Sequence, residues 1–251
     1  MSTSAVMVAD SDCAGYELDY VDETGQSCRG PLSVMWGLPF ERVEPVRSFR
    51  WSRGLRHWSG WWWSSTSDRH VGFESWLERD HAMLLDFDPE VTGFASQPFW
   101  LHWPGEVRRR RHAPDFFARL ADGTGVVIDV RPDERIEPDD ADAFAVMSAA
   151  CAQVGWQFRR VGAPDPVLAA NVRWLSRYRH PRYGSRTAAA QRLLEVFEEP
   201  IGLLDGVAAV GDRLSVLPVL YHLLWRRELV ADLVAEPLQS WTLVRQVGGG
   251  R

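Results

Sequence analysis

The sequence predicts an α/β protein: a mixed sheet flanked by helices, followed by a small helical domain with a wing. Three observations carry that prediction. Apolar runs of strand length, split by Gly, Pro and Asp turn signals, fill the middle of the chain, as in "APDFFARLADGTGVVIDVRP". A stretch before these runs and another after them carry helical rather than alternating apolar spacing. Beyond about Pro164 the composition changes to a series of helical periods that closes on a hairpin-like segment, "LVADLVAEPLQSWTLVRQV".

Taken in chain order, residues 1–30 are polar, acidic and without periodicity, which predicts a disordered leader. The opening "MSTSAVMVADSDCAG" has no basic segment ahead of an apolar run, so no secretory signal is expected. Residues 31–164 are expected to form the α/β domain and residues 165–251 the helical one. Residues 31–70, rich in Trp, Gly and Arg, read as strands or irregular structure. Residues 73–87 turn helical, with Phe73, Trp76, Leu77 and Leu84 on one face and a stop from Asp86 to Pro89. Strands are expected over 94–103, interrupted by Pro98, then at "APDFFARL" and "VVIDVRP", the last two joined by "ADGTG". The acidic "PDERIEPDDADA" leads into a helix near 144–154, and "WQFRRVG" is a further strand. Asp165 is a natural N-cap with Pro166 at the first helical position. Helices follow at 185–199, 201–210 and 216–228. Ser215 caps the last, so that Pro218 falls in its first turn, where a missing N–H costs little.

Composition narrows the function classes. A chain of 251 residues, 45% hydrophobic and 25% charged, is long enough for one large core or two modest ones. All 28 basic residues are arginine, so any task usually given to lysine falls here to a guanidinium. The net charge of −6 means that polyanion binding must rest on local patches. Cys13, Cys28 and Cys151 are odd in number and scattered, against a disulfide framework or a zinc knuckle. No run reaches the ~18 apolar residues of a membrane helix, so no membrane association is expected and the chain reads as cytoplasmic.

Asp115 and Asp129 each stand inside an apolar run, and buried carboxylates are costly unless paired, hydrogen-bonded or metal-bound. Side chains alternate along a strand, so the loop between the runs decides how the two acids relate. An odd loop around Asp122-Gly123 sets Asp115 opposite Arg131 and Phe117 opposite Asp129, with both acids and the arginine on one face. An even loop scatters them. Two carboxylates within reach favour a divalent cation, and an oxygen-only set suits Mg²⁺ or Mn²⁺ completed by water and substrate phosphate. A third acid is expected from the helix at 73–87, where Glu74 and Glu78 share an edge beside the apolar stripe.

A helical glutamate, then Pro114-Asp115, then Asp129-Val130-Arg131 resembles the PD-(D/E)xK nuclease superfamily. The wider stretch, "ESWLERDHAMLLDFDPEVTGFASQPFWLHW" with "RRRRHAPDFFARLADGTGVVIDVRP", resembles the TnsA-type endonuclease subunit of heteromeric bacterial transposases. The similarity runs from about Val71 to Val161, and the helical region after it is compatible with that family's winged-helix-like C-terminal domain. The resemblance implies a restriction-endonuclease-like mixed sheet and Mg²⁺-dependent hydrolysis of DNA phosphodiesters at transposon ends, with Mn²⁺ as an alternative ion. It assigns the catalytic glutamate to Glu78, with Glu74 the alternative, and metal binding to Glu78, Asp115 and Asp129 with the Val130 carbonyl. Gln97 occupies the family's Gln-Pro strand position. The basic catalytic position falls on Arg131, where the family has lysine. Arginine keeps the charge and can bridge phosphate oxygens, but it cannot give up a proton. The implied partners are DNA, a DDE-type transposase subunit and an AAA+ ATPase regulator.

Plainer readings fit the same residues. Asp115 after a proline can cap a turn, Asp129 can pair with Arg131, and Glu74 and Glu78 can be solvent-edge residues. Arg108, Arg109, Arg110 and Arg111 are either a solvated run or a phosphate contact just ahead of the catalytic strand, with His112 beside them. Arg47, Arg50, Arg53 and Arg56 recur among tryptophans and offer stacking beside charge. Arg173, Arg177, Arg179, Arg182, Arg186 and Arg192 lie between Pro166 and Leu194 with no acid, the strongest segment for DNA or an acidic partner. Two rival functions follow: a non-catalytic DNA-binding or assembly subunit with Arg131 as its lesion, and a stand-alone defence or restriction nuclease.

Overall fold

The computed structural model describes residues 15–48, 59–105 and 109–248. The chain runs β1 (Glu17–Val21), β2 (Ser27–Pro31), α1 (Leu32–Met35), β3 (Gly60–Ser64), β4 (Arg69–Phe73), α2 (Trp76–Phe87), β5 (Val91–Ser96) and β6 (Trp100–Trp103). It continues β7 (Arg110–His112), β8 (Phe116–Leu120), β9 (Gly125–Val130), α3 (Pro138–Gln153), β10 (Gln157–Val161) and α4 (Pro166–Leu175). The remainder is α5 (Thr187–Val196), β11 (Ile201–Gly202), α6 (Leu203–Val210), α7 (Arg213–Trp225), β12 (Leu229–Ala231) and β13 (Leu243–Gln246). The protein is mixed α/β. None of its described helices is long and apolar enough to cross a membrane.

Two compact units form, each from two separated segments: residues 1–48 with 94–161, and residues 49–93 with 162–251. Consecutive domains at 31–164 and 165–251 are therefore not what the contacts give. Residues 49–93 group with the C-terminal segment because Met83 and Phe87 of α2 belong to one apolar cluster with Val172, Leu175, Leu220 and Trp225.

The first unit contains two four-stranded sheets, ordered β2-β1-β6-β7 and β10-β9-β8-β5. In the second of these β8 and β9 are antiparallel while β9 and β10 are parallel, with α3 as the crossover between them. The leader expected over residues 1–30 is corrected here. β1 and β2 form a hairpin whose Leu18 and Tyr20 alternate inward, and Asp22 Oδ1 accepts from the Thr24 and Gln26 amides, each at 2.9 Å, to make the turn. Acidic turn residues hid the two-residue period; residues 1–14 lie outside the described residues. The core joins Leu18 and Tyr20 to Leu101, Phe117, Val127 and Met147, so both sheets and α3 contribute to it. Edge-to-face packing of Phe40 on Phe99 and Phe117, at 5.1 and 5.7 Å, fixes its centre. Gly125 is required where it stands: a Cβ there would meet Trp156 at 2.7 Å and Phe117 at 2.8 Å.

Helix α3 starts earlier than its apolar pattern, at Pro138. Glu137 and Asp140 form a reciprocal capping box with the proline in the first turn. Its buried face, Ala143, Phe144, Met147, Ala150 and Cys151, has the spacing of a single helical stripe.

In the second unit α2 begins at Trp76, after the Ser75 cap, and Phe73 ends β4 instead. The buried stripe is Ala82, Met83, Asp86 and Phe87, and Trp76, expected inside, is 51% exposed. Asp165 caps α4 as expected, accepting from the Val167 and Leu168 amides. Helix α7 starts at Arg213 on an Asp212 cap and runs through Pro218, contrary to the Ser215 start. Burial of Val216, Val219, Leu220 and Leu223 outweighs the one hydrogen bond that proline forgoes. The closing hairpin is a three-stranded sheet, β11-β13-β12, because residues 201–202 pair with β13 as well.

Two histidines of this unit are buried against carbonyls: His81 Nε2 lies 2.7 Å from Gly162 O, and His222 Nδ1 lies 2.7 Å from Tyr178 O. Burial pushes both below the ordinary histidine value, against the smaller upward pull of those carbonyls. The unfolded chain therefore binds these protons more readily than the folded one. Stability is full above the ordinary value of 6.5 and falls as pH drops through it toward the lowered folded values. Urea melts at about pH 7.5 and about pH 5.5 should give the lower midpoint in acid. The difference should shrink in His81→Gln and His222→Gln proteins.

Candidate active site

The β8–β9 hairpin determines how the two central acids relate. Phe116 pairs with Ile128, Phe117 with Val127 and Ala118 with Val126. Leu120 N–H donates to Thr124 O at 2.9 Å, and Gly123 takes φ +89°, closing a loop centred on Asp122. The loop is odd, as one of the two parities anticipated, but centred one residue earlier than Gly123. Phe117 is therefore opposite Val127 rather than Asp129, and extending the same register one residue past the end of β8 would set Asp115 opposite Asp129 rather than Arg131. A centre shift of one residue moves each partner by two positions and keeps the faces.

Each is held. Asp115 Oδ2 accepts from the Val130 amide at 2.7 Å. Asp129 is 2% exposed, and both its oxygens lie against His112 Nε2, at 2.9 and 3.0 Å. His112 in turn meets the Phe144 ring edge to face at 6.0 Å. Cys151 of α3 is pushed up to about 12, by burial first and by the Asp129 charge second, which makes it an inert thiol. Arg131 is paired with Asp140 at 3.0 Å on the first turn of α3, and its amide donates to Val161 O.

Gln97 departs from ordinary geometry twice. It is 1% exposed with φ +45°, and neither its Oε1 nor its Nε2 has a hydrogen-bond partner among the described residues. Its backbone is tied on both sides, N–H to Asp115 O and O to the Val46 N–H, both at 2.9 Å. Left-handed backbone on a residue other than glycine and an orphaned buried amide each cost on the order of 1–3 kcal/mol. Such costs mark positions retained for more than stability.

Glu74 and Glu78 belong to the second unit. Glu78 is the N3 residue of the Ser75-capped turn: its Oε2 accepts from the Glu74 amide at 2.6 Å, its Oε1 from Ser75 Oγ at 2.9 Å, and its own amide donates back to Ser75 Oγ. The sequence signal for this turn is Ser75-x-x-Glu78 ahead of an apolar run. His112 as the partner of Asp129, and Asp140 as the partner of Arg131, had no comparable sequence signal. They depend on where β7 and α3 come to rest.

The basic candidates divide between pairing and exposure. Arg109 pairs with Glu17 at 3.1 Å, Arg110 with Asp139 and Asp142 at 3.7 and 3.6 Å, and Arg111 lies over the Trp100 ring at 4.1 Å. Arg173 pairs with Asp80 at 2.9 Å, and Arg177 lies over Trp174 at 4.8 Å. Arg108, with Arg50, Arg53 and Arg56, lies outside the described residues.

Asp115 and Asp129 are the hard carboxylates here that could serve Mg²⁺ or Mn²⁺, ions that commonly take one or two protein carboxylates and complete their shell with water and phosphate. A ready-made group of three or more His, Cys, Asp or Glu at metal-holding spacing is absent among the described residues. No protein-family model and no curated protein matches the chain.

Proposed function

We propose that this chain is a divalent-metal-dependent DNA endonuclease, the strand-cutting subunit of a heteromeric transposase acting at transposon ends. The observation that carries the reading is the hydrogen bond from the Val130 amide to Asp115 Oδ2, at 2.7 Å, which holds Asp115 at the end of β9 that bears Asp129. The element order around it supports the restriction-endonuclease-like core that the family resemblance implies: α2, then β5, β8 and β9, then α3 and a β10 parallel to β9. In the second unit α5, β11, α6, α7, β12 and β13 follow the order of a winged helix, which supports the second half of the resemblance.

When bound, Mg²⁺ or Mn²⁺ lowers the pKa of its water and stabilises charge on the pentavalent phosphorus. Asp115 and Asp129 would hold the ion with the Val130 carbonyl. His112 holds Asp129 in place. Arg131 neutralises non-bridging phosphate oxygens, which requires it to exchange Asp140 for substrate, and it stays protonated throughout. DNA, a DDE-type transposase subunit and an AAA+ ATPase regulator are the partners this reading entails, with the reaction in the cytoplasm.

Supercoiled plasmid incubated with the protein in Mg²⁺ or Mn²⁺ should be nicked, and EDTA or the Asp115→Ala substitution should stop it. Cutting that ignores metal, or none at all with and without the DDE-type subunit, overturns the reading. Arg131→Lys is expected to stay within about ten-fold of the parent rate, while Arg131→Ala loses about a hundred-fold, since only the charge is used. The Arg131–Asp140 pair and the engagement of Glu78 in the cap of α2 favour one rival, a catalytically degenerate DNA-binding and assembly subunit. A large gain of cutting in Arg131→Lys would select it.

A further inference from the structure

In a winged helix the third helix is the one that ordinarily lies in a DNA groove. Here that helix, α7, has little face to offer. Val216, Val219, Leu220, His222, Leu223, Leu224 and Trp225 are all buried. Residues 174–184, the end of α4 and the two short 3-10 turns after it (Ser176–Tyr178 and Pro181–Gly184), pack against it. His222 Nδ1 donates to Tyr178 O at 2.7 Å, and a Cβ on Gly184 would lie 2.8 Å from the His222 ring. Tyr221 of α7 packs its ring 4.9 Å from Tyr178 and 6.0 Å from Trp174.

What reaches solvent is the covering segment itself. Trp174 is 41% exposed with the Arg177 guanidinium over its ring at 4.8 Å. Arg182 lies over Tyr183 at 4.9 Å, and Tyr183 meets Tyr178 at 5.3 Å. Arg177 and Arg182 are exposed, and no acid occurs in sequence between Pro166 and Leu194. Arg182 also donates from Nη2 to the Tyr183 hydroxyl at 3.2 Å, and a guanidinium held against a ring in this way is partly oriented in advance, so gripping a phosphate with its remaining N–H groups costs less side-chain entropy than it would for a free arginine.

We infer that the second unit binds DNA through this arginine–aromatic surface, Arg177 and Arg182 gripping backbone phosphates beside Trp174 and Tyr183, and not by inserting α7 into a groove. The inference rests on the nuclease reading only in taking DNA as the polyanion. Because phosphates are the target, binding is independent of sequence and falls steeply with salt.

The test uses the full chain carrying Asp115→Ala, so that bound DNA is not cut, and fluorescence anisotropy on a labelled duplex of arbitrary sequence across a salt series. Adding Arg177→Gln with Arg182→Gln should weaken binding about ten-fold or more and flatten the log–log salt slope by about 2, one for each phosphate contact. Arg245→Gln, an exposed arginine on β13, should change affinity less than two-fold, by about the effect of a remote charge. Melting curves of all three proteins verify the fold, and Arg177→Lys with Arg182→Lys, which keeps charge but loses the stacked fork, should fall between. Unchanged affinity and slope in the Gln pair, an equal loss in Arg245→Gln, or no DNA binding by the parent overturns the inference. Plasmid nicking by the chain with Asp115 intact is scored separately. Metal-dependent nicking with binding indifferent to the Gln pair sinks this surface alone, whereas surface-dependent binding without nicking sinks the nuclease reading alone.

Discussion

Asp129→Asn should leave the fold intact and abolish metal-dependent DNA cleavage, by about a thousand-fold or more. Asparagine matches aspartate in shape and keeps one oxygen to accept from His112, whose Nε2 now lies 2.9 and 3.0 Å from the two carboxylate oxygens. What it lacks is charge. A divalent ion in a site this enclosed, with Asp129 only 2% exposed, depends on formal negative charge that an amide cannot supply. Single-turnover nicking rates in saturating Mg²⁺, beside a thermal melt, make the comparison. A variant that cuts at the parent rate would remove Asp129 from the chemistry and leave the His112–Asp129 pair as a structural bond.

The largest expected effect on stability lies in the other unit, at Asp86. Its carboxylate is 4% exposed and accepts from Trp62 Nε1 at 2.9 Å, Ser64 Oγ at 2.9 Å, Ser65 N–H at 3.1 Å and Thr66 N–H at 2.9 Å. The turn between β3 and β4 is thereby wrapped around one side chain of α2. Arg179 is half-buried nearby, donates to Trp63 O at 3.0 Å and lies over the Trp62 ring at 4.2 Å. Burial draws its pKa down while the Asp86 charge props it up. Asp86→Ala strands one buried and three part-buried donors and removes that charge, so it should cost about 3–5 kcal/mol. Urea denaturation followed by tryptophan fluorescence reads this directly, since Trp62 and Trp225 both belong to the network, Trp225 through Ser65 Oγ at 2.9 Å. A loss under about 1 kcal/mol would mean that desolvating the carboxylate costs nearly as much as its bonds return.

Neither of these two roles was equally visible beforehand. Asp129 could be singled out because an acid inside "VVID" violates the apolar run around it, and violations of local pattern are where function concentrates. Asp86 looked like the end of a helix, a stop signal before Pro89, because its partners are about twenty residues upstream in a segment with no periodicity. Arg179, counted with the DNA-facing arginines, is instead drawn in by Trp62 and Trp63. Charge runs report only that a segment is basic. Which guanidinium is consumed by packing depends on partners distant in sequence.

The strand–turn–strand of β8 and β9, the helix and strand that follow it and the Asp165 cap were legible in the sequence alone, because each rests on neighbours within a few residues: turn chemistry, apolar spacing and strand alternation. Tertiary structure alone decided that residues 49–93 join the C-terminal helices, that His112 closes on Asp129 and Asp140 on Arg131, and that α7 is covered. Those outcomes depend on which apolar faces bury one another over long sequence separations, a competition among surfaces that no local pattern encodes.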